Sequence, residues 1–125
     1  MIVGTGVDIA EVSRVEAAIR RRGRRLLERV FTPAEIRYCE SRRNKFERYA
    51  ARFAAKEAAM KALGTGWRRG IRWRDIEISN LASGQPTLAF SGRAAERARK
   101  LGAQRISLSL SHAKDLVIAQ VILES

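Results

Sequence analysis

The stretch of sequence that decides the fold runs from residue 46 to residue 64 and reads FERYAARFAAKEAAMKALG. Strong helix formers fill it and Gly64 stands at a natural helix end, so we predict one long alanine-rich helix from Phe46 to Leu63. Large apolar side chains line one side and alanines line the opposite side: Tyr49, Phe53, Met60 and Leu63 on the first, and Ala51, Ala54, Ala55, Ala58, Ala59 and Ala62 on the second. Such a helix is usually packed on both sides, so we expect other elements to cover both.

Capping patterns predict two helix starts ahead of this long helix. Ser13 with Glu16, and Thr32 with Glu35, each place a hydroxyl three residues before a glutamate. This is the capping-box spacing, in which the two side chains satisfy backbone N–H groups that a helix start leaves unpaired. Gly23 is expected to divide the first helix in two.

The second half of the chain alternates between apolar and polar residues in the manner of strands. A short helix is predicted from a cap at Ser91 to Leu101, and His112 falls in a predicted turn. The predicted strands cover residues 75–79, 87–90, 105–111 and 116–123. Helices mostly precede strands, so the predicted fold class is α+β, a largely antiparallel sheet packed with the long helix, in a single domain over residues 1–125.

The composition is that of a globular protein with a large excess of positive charge. The chain has 125 residues, which suffices for one ordinary domain, and 46% are hydrophobic, which excludes a disordered protein. Lys and Arg number 25 against 13 Asp and Glu, which gives a formal charge of +12, and 20 of the basic residues are arginines. We therefore expect a polyanionic partner: nucleic acid, an acidic protein surface or a phosphate-rich ligand.

A single cysteine and a single histidine exclude several kinds of site. Cys39 cannot form an intrachain disulfide or a cysteine-built zinc site, and His112 cannot form a histidine-rich metal site. No apolar run is long enough to cross a membrane, and the N-terminus lacks a signal-peptide pattern. We expect a cytoplasmic protein that does not associate with membranes.

Asp8 is the first candidate for a catalytic or cation-binding residue. It lies in a predicted strand, residues 2–9, on the side where Gly4 and Gly6 clear space for something to approach the backbone. A buried carboxylate needs a cation or several hydrogen-bond donors to compensate its charge. The alternative interpretation is a helix N-cap or a loop carboxylate just beyond the strand end.

Glu57 is the second candidate, with Lys61 four residues later at the same edge of the long helix. This spacing is also that of an ordinary surface pair, which stabilises a helix by roughly 0.3 kcal/mol. Asp8 and Glu57 together would form the carboxylate pair that suits Mg²⁺ when phosphates and water complete its coordination, and Lys61 would suit the phosphate charge. Paired carboxylates can also act on a sugar, although a glycosidase needs a larger scaffold.

Two arginine-rich segments are candidates for the anionic partner. Arg14, Arg21 and Arg25 share one predicted helical face. A second cluster comprises Arg68, Arg69, Arg72 and Arg74, interleaved with Trp67 and Trp73. Such a pattern is also typical of nucleic-acid binding, although no RNA- or DNA-binding signature is present. A solvated basic surface is the other alternative.

Several segments resemble the signatures of one enzyme family. They are Gly6-Val7-Asp8-Ile9, the RFAAKEA motif at residues 52–58, the KALGTG motif at 61–66, and the later segments 73–78, 84–86 and 109–112. The family is that of the holo-[acyl-carrier-protein] synthases, the bacterial 4′-phosphopantetheinyl transferases of the small homotrimeric type. The resemblance covers essentially the whole chain and implies the fold of that family.

The resemblance implies a definite reaction. Enzymes of this family move the 4′-phosphopantetheine arm of coenzyme A onto a serine of an acyl carrier protein and release adenosine 3′,5′-bisphosphate. By position, Asp8 and Glu57 would hold Mg²⁺ against the coenzyme pyrophosphate, and Lys61 would offset the developing negative charge. Either Glu57 or a metal-bound water would take the serine proton.

The resemblance also assigns a coenzyme site and the partners. Residues expected to bind coenzyme A are Arg52, Lys61, Pro86, Ser111, His112 and the cluster of Arg42, Arg43 and Lys45. The acidic carrier protein would dock on Arg14, Arg21 and Arg25, where complementary charge speeds the encounter. A homotrimer with sites between subunits is implied. The alternative function is a basic nucleic-acid or ribosome-associated binding module without catalysis, although with the family resemblance nucleic acid is not the expected partner.

Overall fold

The computed structural model describes residues 1–65 and 70–125, and the elements in those ranges confirm the α+β class. The strands are β1 (Ile2–Glu11), β2 (Ile76–Asn80), β3 (Pro86–Phe90), β4 (Arg105–Ala113) and β5 (Leu116–Glu124). The helices are α1 (Val12–Arg22), α2 (Arg24–Val30), α3 (Pro33–Glu40), α4 (Lys45–Leu63) and α5 (Gly92–Leu101), and a short 3-10 helix, Trp73–Asp75, precedes β2. Within these ranges, none of the helices has the length and apolar character that a membrane span requires.

The strands form two antiparallel sheets around α4. One sheet has the order β1-β5-β4, and the other consists of β2 and β3. α4 packs along β1 and β5 on one side, and it contacts α1, α3, α5 and β2 elsewhere. Most of its alanines are completely buried. The long helix is therefore covered on both sides, as its composition predicts.

Two glycines set how closely α4 approaches β1. A Cβ atom on Gly4 would overlap the carbonyl oxygen of Ala62, and a Cβ atom on Gly6 would overlap that of Ala58. The space cleared by these glycines is thus filled by the backbone of α4 itself. Because the helix and the strand touch backbone to backbone, Asp8 is held beside the last turns of α4.

A buried ion pair, which the sequence analysis did not anticipate, fixes the other side of α4. Lys56 Nζ lies 2.8 Å from Glu35 Oε1, and both side chains are fully buried. The ammonium also donates to the carbonyl oxygens of Trp73 and Ile76, and Glu35 Oε2 accepts the Ile78 N–H at 2.7 Å. Burial lowers the pKa of Lys56 and the negative charge of Glu35 opposes that shift. The cluster joins α3, α4 and β2.

The capping box predicted at Ser13 is wrong. α1 begins at Val12, and Glu11 occupies the N-cap position without a side-chain cap. The Ser13 N–H and hydroxyl both donate to the carboxylate of Asp115, and the Val12 N–H donates to the Asp115 carbonyl oxygen at 2.8 Å. A residue from the turn between β4 and β5 satisfies this helix start, which local spacing cannot reveal.

The other predictions at these helix ends are confirmed. The Thr32 hydroxyl accepts the Glu35 N–H at 3.2 Å, and the Glu35 carboxylate accepts the Thr32 N–H at 2.8 Å. Gly23, with φ +64°, separates α1 from α2.

The prediction that Arg14, Arg21 and Arg25 share one helical face needs correction. Because of the break at Gly23, Arg14 and Arg21 belong to α1 and Arg25 belongs to α2.

Two predictions in the second half of the chain need correction. His112 lies in β4 and pairs with β5, so the turn consists of Lys114 and Asp115 alone. Ser91 occupies the N-cap position of α5, but its hydroxyl faces the Asp75 carbonyl oxygen and does not cap the helix.

Candidate active site

Asp8 lies inside β1, which continues to Glu11, so it is neither a loop carboxylate nor a helix cap. Lys61 approaches it from the last turn of α4, with Nζ 2.9 Å from Asp8 Oδ1 and 3.0 Å from the Val7 carbonyl oxygen. The Asp8 side chain is 13% exposed and that of Lys61 is 55% exposed. Among the described residues Lys61 forms no ion pair with Glu57, so the ordinary surface-pair interpretation is wrong.

Glu57 is half-buried, and its surroundings disfavour its charge. Burial raises the pKa of Glu57 above its ordinary value, the negative charge of Asp8 raises it further, and the Lys61 ammonium opposes both effects. Two carboxylates thus influence one another at a place where, among the described residues, the Lys61 ammonium is the one cation that lowers the pKa of Glu57. The arrangement carries an excess of negative charge that a further cation would neutralise.

These residues fit a hard divalent cation that arrives with phosphate. Mg²⁺ binds proteins through one or two carboxylates and keeps water and phosphate oxygens as its other ligands. Asp8 and Glu57 supply two carboxylates. Within residues 1–65 and 70–125, no group of three or more Asp, Glu, His or Cys side chains is placed to hold a metal. A cation here would therefore take its remaining oxygen ligands from substrate and water.

Arg52 is buried on another side of α4 and, among residues 1–65 and 70–125, has no carboxylate partner within 4.0 Å. The residue is 3% exposed, its Nη2 donates to Asn80 Oδ1 at 3.0 Å, and its Cζ lies 4.1 Å from the centroid of the Tyr38 ring. Its Nε makes no hydrogen bond. A buried cation without a counter-ion is costly, so this arrangement favours the arrival of an anion.

Two further residues predicted to bind coenzyme lie in the segment before α4 and at the start of β3. Arg43 is exposed in the segment between α3 and α4. Pro86 begins β3, and the turn before it is connected to Arg52 because the Asn80 amide donates to the Gly84 carbonyl oxygen at 3.0 Å.

Ser111 and His112 lie apart from these groups. Both line a cavity of about 120 Å³ at the end of β4, and His112 Nδ1 is 3.4 Å from Glu47 Oε1 on the first turn of α4. Asp8 and Glu57 do not line this cavity. A single chain therefore assembles Asp8, Glu57 and Lys61 but not the complete set of predicted site residues.

The helices α1 and α2 carry exposed arginines, and an apolar hollow lies between these helices and α4. Arg14, Arg21 and Arg25 are all exposed, and only Arg14 has a carboxylate partner within the described residues, Glu11 at 3.6 Å. A cavity of about 200 Å³ lies between the two helices and α4, lined by Arg14 and by apolar side chains that include Phe53. A basic rim with an apolar floor suits an acidic protein surface.

The second arginine cluster is described only in part. Arg72 lies 3.7 Å from Asp75, so part of its charge is compensated within the chain, and Arg74 is exposed. Outside the described residues lie Gly66 of the glycine-rich motif and Trp67, Arg68 and Arg69 of the cluster.

The sequence analysis missed three groups that the structure places around α4. Tyr38 and Asn80 contact Arg52, and no spacing pattern could have brought together residues that lie 14 and 28 positions from it. Lys56 did leave a signal, because a lysine among alanines on a helix packed on both sides must find a buried partner.

Comparisons with known proteins show the family of the chain. Residues 4–121 match the family model of the 4′-phosphopantetheinyl transferase superfamily. A curated "Holo-[acyl-carrier-protein] synthase" of Solibacter usitatus is 58% identical over 125 residues, covering 100% of both chains.

Comparison with solved structures points to the same family. The holo-[acyl-carrier-protein] synthase of Neisseria meningitidis has a TM-score of 0.91 at 34% identity, with 100% of both chains covered. The Helicobacter pylori enzyme, solved in complex with coenzyme A, has a TM-score of 0.84 at 32% identity, covering 96% of this chain and 99% of the other.

Proposed function

The chain belongs to the 4′-phosphopantetheinyl transferase superfamily, and we propose that it transfers the 4′-phosphopantetheine moiety of coenzyme A to a serine of an apo acyl carrier protein. The proposed reaction depends on Mg²⁺ and releases adenosine 3′,5′-bisphosphate. The observation that carries the proposal is the convergence of Asp8, Glu57 and Lys61 where β1 packs on α4. These side chains are the donors and the charge that a metal-bound diphosphate needs.

The chain's own residues have distinct roles in the proposed transfer. The serine hydroxyl oxygen attacks the β-phosphorus, the bond from that phosphorus to the bridging oxygen breaks, and the bridging oxygen leaves on adenosine 3′,5′-bisphosphate. Glu57, whose raised pKa suits a proton acceptor, or a water molecule takes the serine proton. Lys61 neutralises negative charge that develops on the phosphate oxygens. When bound by Asp8 and Glu57, Mg²⁺ would supply Lewis-acid polarisation of the diphosphate.

The remaining predicted residues complete the proposal. Coenzyme A would be bound by Arg52, Arg43, Pro86, Ser111 and His112, with the uncompensated charge of Arg52 as the supporting observation. The acidic carrier protein would dock on Arg14, Arg21 and Arg25 beside the apolar hollow, and we expect the reaction to take place in the cytoplasm.

The outer face of the three-stranded sheet supports a homotrimer. Val7, Ile9, Leu116 and Ile118 are 41–60% exposed there, and Ile9 and Ile118 are cross-strand partners. Covering such an apolar surface with further copies of the chain removes it from water. A neighbouring copy would also bring His112 to the carboxylates that a single chain leaves apart from it.

The test is a mass measurement on an apo acyl carrier protein incubated with this chain, coenzyme A and Mg²⁺. We expect one phosphopantetheine to be added to the carrier serine, and we expect EDTA to block the addition. Asp8→Asn and Glu57→Gln should each abolish transfer while the protein stays folded, and Glu96→Gln on exposed α5 is the matched control. Full activity in both site variants would disprove the metal site.

The binding-module alternative makes the opposite prediction. It requires affinity for nucleic acid that falls steeply with salt and survives Asp8→Asn and Glu57→Gln. Such binding, together with no transfer to several carrier proteins, would replace the transferase proposal.

A further inference from the structure

Tyr38, near the end of α3, holds two guanidinium groups against its ring. Arg52 Cζ lies 4.1 Å and Arg42 Cζ lies 4.6 Å from the ring centroid. In the part of the chain that the structure describes, neither arginine has a carboxylate oxygen within 4.0 Å. Cation–π contacts attract each guanidinium to the ring, but they do not neutralise two like charges held around it. An anion would complete this arrangement.

The two arginines differ in what they can offer that anion. Arg52 is 3% exposed and fixed by its hydrogen bond to Asn80, so it supplies a stationary buried charge behind the ring. Arg42 is exposed, so its N–H donors remain available for a ligand. Arg43, which the sequence analysis grouped with Arg42, makes no ring contact within the described residues. The ring therefore directs Arg42, and not Arg43, toward an anion.

The position of this cluster separates it from the carboxylate site. Residues 52 and 57 are five positions apart on α4, which places their side chains about 140° apart around the helix axis. Arg52 and Tyr38 therefore serve an anion other than the one at Lys61. Coenzyme A carries a diphosphate bridge, which the proposed function assigns to Lys61, and one further phosphate on its ribose. The link from Arg52 through Asn80 to the turn before Pro86 places the cluster beside another predicted coenzyme residue.

We propose that Tyr38 is a positioning residue for recognition of the ribose phosphate of coenzyme A. Its ring holds Arg42 as the contacting cation, with the charge of Arg52 behind it, and the arrangement selects coenzyme A over 3′-dephospho-coenzyme A. This inference rests on the proposed function.

The first experiment compares Tyr38→Leu with Tyr38→Phe in steady-state transfer, using coenzyme A and 3′-dephospho-coenzyme A in turn. Loss of the ring should raise the KM for coenzyme A about three- to thirtyfold without changing kcat. It should leave the KM for the dephospho form unchanged. Tyr38→Phe should keep the discrimination, because the face of the ring and not the hydroxyl contacts the guanidinium groups. Equal behaviour of the two variants would overturn the proposal.

The second experiment does not depend on changing the half-buried ring. Arg42→Ala should raise the KM for coenzyme A and weaken binding of adenosine 3′,5′-bisphosphate measured by calorimetry. Arg37→Ala, an exposed arginine of the same helix as Tyr38, is the control and should change neither. Equal KM values of the wild type for the two coenzymes would refute this inference and leave the transferase function standing. Absence of any transfer by the wild type would refute the function itself.

Discussion

The residues that surround the Asp8 carboxylate, and not its position in a strand, make it suitable for binding a cation. Gly4 and Gly6 let α4 approach until Lys61 reaches the Asp8 carboxylate at 2.9 Å. Glu57 then adds a second carboxylate whose protonated form is favoured by burial and by the charge of Asp8. The result is a half-buried site with more negative than positive charge, which a metal–phosphate complex would balance.

At the residue scale, Lys61→Met should lower kcat for transfer by about 10²- to 10³-fold, because the charge on the phosphate oxygens would lose a nearby cation. The side chain is 55% exposed, so the fold should tolerate the change. Steady-state kinetics and a thermal melt monitored by circular dichroism measure the two effects. Lys100→Met on α5 is the control, and equal kcat values for the two variants would contradict the role of Lys61.

Arg25→Glu tests the docking surface, again through a single side chain. Reversal of this exposed charge should raise the KM for the carrier protein about tenfold and leave the KM for coenzyme A unchanged, because only the carrier approaches α2. The difference from the wild type should shrink as salt is added. Arg105→Glu, on the far strand β4, is the comparison variant. A change in the KM for coenzyme A alone would contradict the role of Arg25 in docking the carrier protein.

At the scale of elements, two different kinds of interaction fix α4 on its two sides. Close backbone packing joins it to β1, and the buried pair of Lys56 and Glu35 joins it to α3 and β2. Buried ion pairs add little net stability over an apolar alternative, but removing one partner leaves an uncompensated charge. The pair therefore matters most as a constraint on how these elements fit together.

Lys56→Met should lower the free energy of unfolding by roughly 3–5 kcal/mol, because Glu35 would remain buried without its cation. The double variant Glu35→Gln with Lys56→Met should recover part of that loss. Urea denaturation of the three proteins measures both effects. A loss as small as that of Lys45→Met, which removes an exposed partner of Glu40, would show that the buried pair carries no such constraint.

The contribution of the junction between α3 and α4 to the stability of the fold should depend on pH. The Tyr49 hydroxyl donates to Glu40 at 2.8 Å and, with Lys45, holds the pKa of Glu40 below its ordinary value. The unfolded chain then binds more protons, so this contribution is present above the ordinary glutamate pKa and is lost as pH falls through the lowered one. Glu40→Gln should be less stable than the wild type at pH 7, by less than about 1 kcal/mol, and the difference should shrink as the pH falls below the ordinary glutamate pKa. Denaturation at pH 7 and in acid tests this, and a difference that does not shrink in acid would contradict it.

At the scale of the whole molecule, the exposed apolar face of the β1-β5-β4 sheet is the surface through which we propose that copies assemble. Ile118→Glu places a charge on that face opposite Ile9, so burying it would be unfavourable and the proposed homotrimer should dissociate to monomers. Light scattering during size-exclusion chromatography measures the mass. Leu81→Glu changes an exposed apolar residue outside this sheet and should leave the trimer intact. A monomeric wild type would contradict the trimer.

Much of the molecule follows from the sequence alone, because the deciding signals are local. The long helix, the Thr32 capping box, the break at Gly23 and the alternation within each later strand depend on residues a few positions apart. The motifs around Asp8, Glu57 and Lys61 likewise indicated the family that the comparisons confirm.

Only the tertiary structure decided which distant residues meet. Asp115 at the start of α1, the pair of Lys56 with Glu35, and the contact of Tyr38 with Arg52 all join segments that no short-range pattern relates. The physical reason is that side-chain periodicity specifies which face of an element is buried, whereas the partner on that face is fixed by packing of the whole chain.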